Sequence, residues 1–137
     1  MKTVRPTRES LSRLSALPKE TPIVMVNLLK FRQKSLYPQG SSFDDCTGRQ
    51  AYKRYMDIAV EKLSEVGAKP LWMSKALVGV IAPAEEQWDQ VLLVKYPSVD
   101  AFLTMIGMPD YLAATVHREA ALEDSRLIAT IEILSEI

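Results

Sequence analysis

His117 is the chain's only histidine, and the only side chain whose ordinary pKa, about 6.5, suits proton transfer near neutral pH. On a helix it shares a face with Ala113 and Ala121. Its plainer role is a structural histidine. Arg118 follows it and leaves a helix in another direction. Its planar guanidinium can hold a carboxylate or phosphate with two parallel bonds, or close an ordinary salt bridge. Asn27 interrupts an apolar strand, and a buried amide left without partners costs about 1–3 kcal/mol. It therefore either orients a ligand or ties a helix to the sheet. Tyr52 and Tyr55 are neighbours at helical spacing, each offering a packing ring and one hydroxyl. Asp89 can orient a base or pair with a cation.

Taken together, these residues suggest an enzyme acting on a small organic acid or carbonyl compound. His117 would move the proton, and Asn27, Tyr52, Tyr55, Asp89 and Arg118 would contact the ligand. Isomerisation, lyase chemistry and cofactor-independent oxygenation all fit. The competing reading is a noncatalytic dimeric ligand-binding or structural protein. Trp72, Trp88, Tyr111 and Arg126 read first as structural residues, and Lys30, Arg32 and Lys34 as a solvated strand end able to meet a small anion.

Other chemistries lack their residues. One histidine without a compact acidic set is poor ground for a metal. No glycine-rich phosphate loop, HExxH pair or paired cysteines occur, so neither cofactor nor metal is expected. Cys46 is single and cannot form an intrachain disulfide. With 17 basic and 17 acidic residues, no positive field for nucleic acid is expected. No apolar run approaches the roughly 20 residues of a membrane span, and MKTVRPTRES lacks a secretory pattern. A cytoplasmic protein is expected.

The elements that must position these groups follow from periodicity. Residues 1–21 form a lead-in in which Leu11, Leu14 and Leu17 suggest a short helix around Glu9–Leu17. The main domain spans 22–137. Strand one, IVMVNLLKF from Ile23 to Phe31, is apolar on both alternating sets and needs cover on both faces. A long polar loop at 32–48 exceeds ordinary connections, and suits a lid, a partner contact or partial disorder. A helix over Arg49–Val66 carries Tyr52, Tyr55, Ala59 and Leu63 on one side and ends at Gly67. Strands are expected at Leu71–Ile81 and Gln87–Tyr96, then a helix capped by Ser98 and broken at Gly107–Pro109. That helix resumes over Asp110–Leu122, before a last strand at Leu127–Leu134.

The order β-α-β-β-α-β predicts an α+β, ferredoxin-like domain, with a four-stranded antiparallel sheet and its helices on one face. Covering the other face predicts a homodimer with its two sheets packed together, a dimeric α/β barrel.

VNLLKF at 26–31, AYKRY at 51–55, the Gly67 turn, WDQVLLVKYPS and MPDYLAATVHREAALEDSRLI appear in an order that resembles the family called domain of unknown function 1330. That family lies within the dimeric α/β-barrel group, and the resemblance spans roughly residues 21–134. It implies the same fold and dimer but no common reaction. The loop at 32–48, the lead-in and Gly67–Ala68 depart from the family's usual pattern.

Overall fold

The computed structural model describes residues 1–137. Helix α1 (Arg8–Ser15) precedes strand β1 (Ile23–Phe31), helix α2 (Gly48–Glu65), and strands β2 (Lys69–Lys75) and β3 (Gln90–Tyr96). Helices α3 (Val99–Ile106) and α4 (Pro109–Ala121) follow, then strand β4 (Leu122–Thr130). The sheet is antiparallel in the order β2-β3-β1-β4, the ferredoxin-like arrangement expected. No helix is long and apolar enough to cross a membrane.

Local chemistry explains the helix ends. Thr47 and Gln50 form a reciprocal capping box at the start of α2, satisfying orphan amides of its first turn. Ser98 caps α3 through the Ala101 amide, as expected. Pro109 opens α4 at its first position, where a missing N–H costs nothing, so α3 and α4 are separate helices. Gly67 takes a φ of 77° just after α2.

Alternation divides β1 cleanly. Ile23, Met25, Asn27 and Leu29 are buried toward the helices, with Val24, Val26 and Leu28 on the opposite face. Leu92, Val94 and Tyr96 of β3 continue the inner layer, against Tyr52, Tyr55, Ala59 and Leu63 of α2. Fully buried side chains such as Leu29 and Leu122 each contribute roughly 1.5–3 kcal/mol.

Three strands differ from expectation, β3 by starting at Gln90 rather than Gln87. β2 ends at Lys75, where its pairing with Gln90 stops, and residues 76–88 form a connection without strand structure. Leu77, Val78, Val80 and Ile81 are strongly exposed there, so apolar alternation alone found no partner strand. β4 begins at Leu122, directly after α4, rather than at Leu127. Its register along β1, from Phe31 against Leu122 to Val24 against Thr130, overrides the more apolar run downstream. Backbone hydrogen bonds tie the loop between β1 and α2 to itself and to α4. Ser35 N–H donates to the Cys46 carbonyl (2.7 Å), and Leu36 N–H to the Ala120 carbonyl (2.9 Å).

Candidate functional site

A cavity of about 1020 Å³ lies between the inner face of the sheet, α2, α4 and the N-terminal segment. That is at the upper end of the range for small-molecule sites. Its walls are mainly apolar, including Met25, Leu92, Val94, Met56 and Phe102. Asn27, Tyr52, Tyr55, Tyr111 and Arg118 supply polar atoms.

Each polar group is set by its element. Asn27 points inward because it alternates with Met25 and Leu29 on β1. Its Nδ2 donates to the Leu92 carbonyl (3.2 Å) and to the Met25 carbonyl (3.4 Å). Both contacts use the amide's donor side, so Oδ1 has no donor from the chain and is an acceptor for a ligand. Tyr55 and Tyr111 join α2 to α4 through hydroxyls 2.8 Å apart. Burial holds the Tyr55 hydroxyl well above its usual pKa. Tyr52 is pushed up to about 12, by burial first, while the Arg118 charge pulls the other way. Its hydroxyl is therefore protonated at neutral pH, makes no hydrogen bond within the chain and is a free donor.

Arg118 donates from Nη1 to the Val4 carbonyl of the N-terminal segment and meets no carboxylate. The arginines bordering the cavity are Arg5, Arg13, Arg118 and Arg126, against one acid, Glu119. Arg5 neutralises Glu119 at 3.0 Å, and Arg126 pairs with Asp124 at 2.7 Å. Arg13 and Arg118 remain without an acidic partner. The cavity is thus apolar in body, with the Arg13 and Arg118 cations unpaired on its wall, which favours an anion carrying apolar bulk.

The structure brings Asn27, Tyr52, Tyr55 and Arg118 to this one cavity. It does not bring His117 or Asp89 there. Asp89 Oδ2 accepts from the Phe31 amide (2.8 Å) at the start of β3, and its side chain lies beside Arg49 and Lys75. His117 is buried under the 32–48 loop, with the Phe43 ring 4.4 Å away edge-on. Arg54 Nη1 donates to Tyr37 Oη (3.0 Å), and the Tyr37 hydroxyl is hydrogen-bonded to His117 Nδ1 (2.7 Å). Burial lowers the His117 pKa, and the Arg54 charge lowers it further. Tyr37 was not among the sequence candidates, although two aromatics, Tyr37 and Phe43, in an otherwise polar loop were the available signal.

No protein-family model and no curated protein matches the chain. A solved structure of the RPA0582 protein from Rhodopseudomonas palustris, described as of unknown function, is 37% identical over 97% of this chain and 98% of that one, with a TM-score of 0.89. The chain belongs to the RPA0582 family. The methylated RPA0582 protein is equally similar, 37% identical over 96% of each chain with a TM-score of 0.90. Beyond the RPA0582 family, the likeness is one of fold alone. A hydroxynitrile lyase from Passiflora edulis is 11% identical over 84% of this chain and 96% of that one, with a TM-score of 0.56. A dabb family protein with a ferredoxin-like fold from Mesorhizobium loti is 13% identical over 82% and 97%, with a TM-score of 0.51.

Proposed function

We propose that the protein binds a small organic acid in the cavity between its sheet and helices. The observation that carries this reading is Arg118: a guanidinium on the wall of a largely apolar chamber, with only a peptide carbonyl for a partner. The acid's carboxylate would pair with Arg118, and the Tyr52 hydroxyl would donate to it. Asn27 Oδ1 would accept from a ligand hydroxyl, which favours hydroxylated acids. Calorimetric titration with phenylacetate and mandelate tests this. Arg118→Gln should weaken both by tenfold or more, since a hydrogen bond to a charged group is worth about 1.5–3 kcal/mol. Equal affinity in the variant and the parent would overturn the reading.

A second reading, an enzyme acting by proton transfer, draws on the Arg54–Tyr37–His117 chain. Burial and the Arg54 charge keep the imidazole uncharged at neutral pH, and Nδ1 would have to exchange Tyr37 for the substrate's proton. The fold also hosts small-molecule chemistry, as in the hydroxynitrile lyase above. Because His117 packs away from the cavity, this reading requires the 32–48 loop to yield. Solvent deuterium exchange into phenylacetate, followed by NMR, should then be lost in His117→Ala. Exchange that is absent in the parent protein leaves binding alone.

A homodimer is also inferred. The outer sheet face carries Val24, Val26, Leu28, Leu93, Trp72 and Ile128, with Trp72 59% and Ile128 51% exposed. A second copy packed sheet to sheet would cover this surface. The zero net charge offers no long-range repulsion against it. The ordered motifs at 26–31, 51–55 and 108–128 favour placing the RPA0582 family within domain of unknown function 1330.

A further inference from the structure

α1 is an amphipathic helix without a core of its own. Thr7 and Ser10 cap it reciprocally, so its start is well specified, yet none of its residues is buried. Leu11 and Leu14 of α1 and Leu17, two residues past its end, recur at three-residue spacing, and all three line the cavity. Leu14 touches the rim of the core, whereas Leu11 and Leu17 lie outside it. A helix ordinarily gains its place by burying its apolar edge. Here Leu11 and Leu14 are only half-buried and Leu17 is 45% exposed, all three on the cavity wall.

The segment before α1 is anchored independently. Thr3 N–H donates to Asp124 Oδ1 (2.9 Å) and its hydroxyl to the Ser125 carbonyl (2.6 Å), while Ser125 Oγ donates back to the Thr3 carbonyl (2.8 Å). Arg5 adds its ion pair to Glu119. Between these anchors the Val4 carbonyl occupies Arg118. A fixed strap thus places a weak, neutral acceptor on the cation and hangs an apolar edge over the cavity.

We propose that the ligand is an amphiphilic carboxylic acid: its carboxylate takes over Arg118 from the Val4 carbonyl, and its apolar tail lies under Leu11 of α1 and Leu17 just past it, a segment that closes on it as a lid. This rests on the organic-acid reading above and adds the tail and the lid. A carboxylate makes the stronger, charge-assisted pair with a guanidinium, so the exchange favours the acid. The tail then completes the burial of leucines that the chain itself covers only in part.

The test is calorimetric titration of the full chain with straight-chain alkanoates from hexanoate to dodecanoate, and with dodecanol, below their micelle concentrations. In the parent protein the Kd should fall roughly threefold to fourfold per added methylene. In Leu11→Ser/Leu17→Ser, hexanoate should bind within about twofold of the parent, while the gain per methylene flattens. These leucines lie outside the core, and a thermal melt of the variant confirms folding. Amide hydrogen exchange over residues 3–17 of the parent should slow with decanoate. An unchanged gain per methylene in the variant, or unchanged exchange, would overturn the lid while leaving the acid site standing. Dodecanol binding as tightly as dodecanoate would overturn the exchange at Arg118. Failure of every alkanoate, hexanoate included, would sink the organic-acid reading and this inference together.

Discussion

His117 and Arg118 leave α4 on different sides, the imidazole beneath the 32–48 loop against Tyr37, the guanidinium into the cavity beside the Val4 carbonyl. Adjacent residues on a helix diverge by about 100°, so one helix serves two separate environments. Changes at the two positions should therefore separate. His117→Ala is expected to leave phenylacetate affinity within about twofold. It should lower stability by about 1–3 kcal/mol, read by urea denaturation, as a buried polar contact is lost.

Asn27 should report ligand hydroxyls specifically. Asn27→Leu removes the acceptor and keeps the volume, so mandelate should lose most of any advantage over phenylacetate. Calorimetry on both acids checks this. Parallel losses for the two would assign Asn27 a purely structural role, through its bonds to the Leu92 and Met25 carbonyls.

The lone histidine makes an unambiguous pH probe. Its folded pKa lies below 6.5, by burial and then by the Arg54 charge, so the unfolded chain takes up the proton first as pH falls. The depressed group costs nothing well above 6.5. Below that value stability drops with pH, until the folded imidazole is itself protonated. Proton NMR should find its midpoint below 6.5, and His117→Gln should remove this part of the melting-temperature profile. A midpoint at or above 6.5 would contradict the Arg54–Tyr37–His117 arrangement.

Gly48, at the start of α2, packs directly on the backbone of Arg32 in the loop and of Ala121 at the end of α4. An added Cβ would stand 2.1 Å from the Arg32 carbonyl oxygen and 2.7 Å from that of Ala121, both backbone atoms that cannot swing aside. Gly48→Ala should therefore destabilise the fold by about 1–3 kcal/mol or more. Faster amide exchange across residues 32–48 should accompany a lower melting temperature.

The exposed sheet face gives the assembly test. Trp72→Glu should yield monomers by sedimentation velocity under conditions where the parent is dimeric, with little change in far-ultraviolet dichroism. A parent that sediments as a monomer at micromolar concentration would remove the dimer.

The sheet and the helix break were legible because alternation, Ser98 and Pro109 act over a few residues. The start of β4 was not. LEDSRLIAT is more polar than the downstream run, and only the long-range register on β1 favours it. Asn27, Tyr52, Tyr55 and Arg118 were each visible as residue types out of keeping with their surroundings. What placed them together, and set His117 and Asp89 apart, was tertiary geometry. The strap was hidden for the same reason: Thr3 meets its partners more than a hundred residues away, and nothing in MKTVRPTRES marks Val4 as the residue whose peptide oxygen reaches Arg118.

That oxygen belongs to the main chain, so no side-chain replacement at Val4 deletes it. Anyone retuning affinity would have to work through the tethers: loosening Thr3 or Arg5 withdraws the internal competitor, and stiffening them keeps it in place. Selectivity between weak and strong acceptors is thereby written into the path of the backbone and shielded from most point substitutions along the strap.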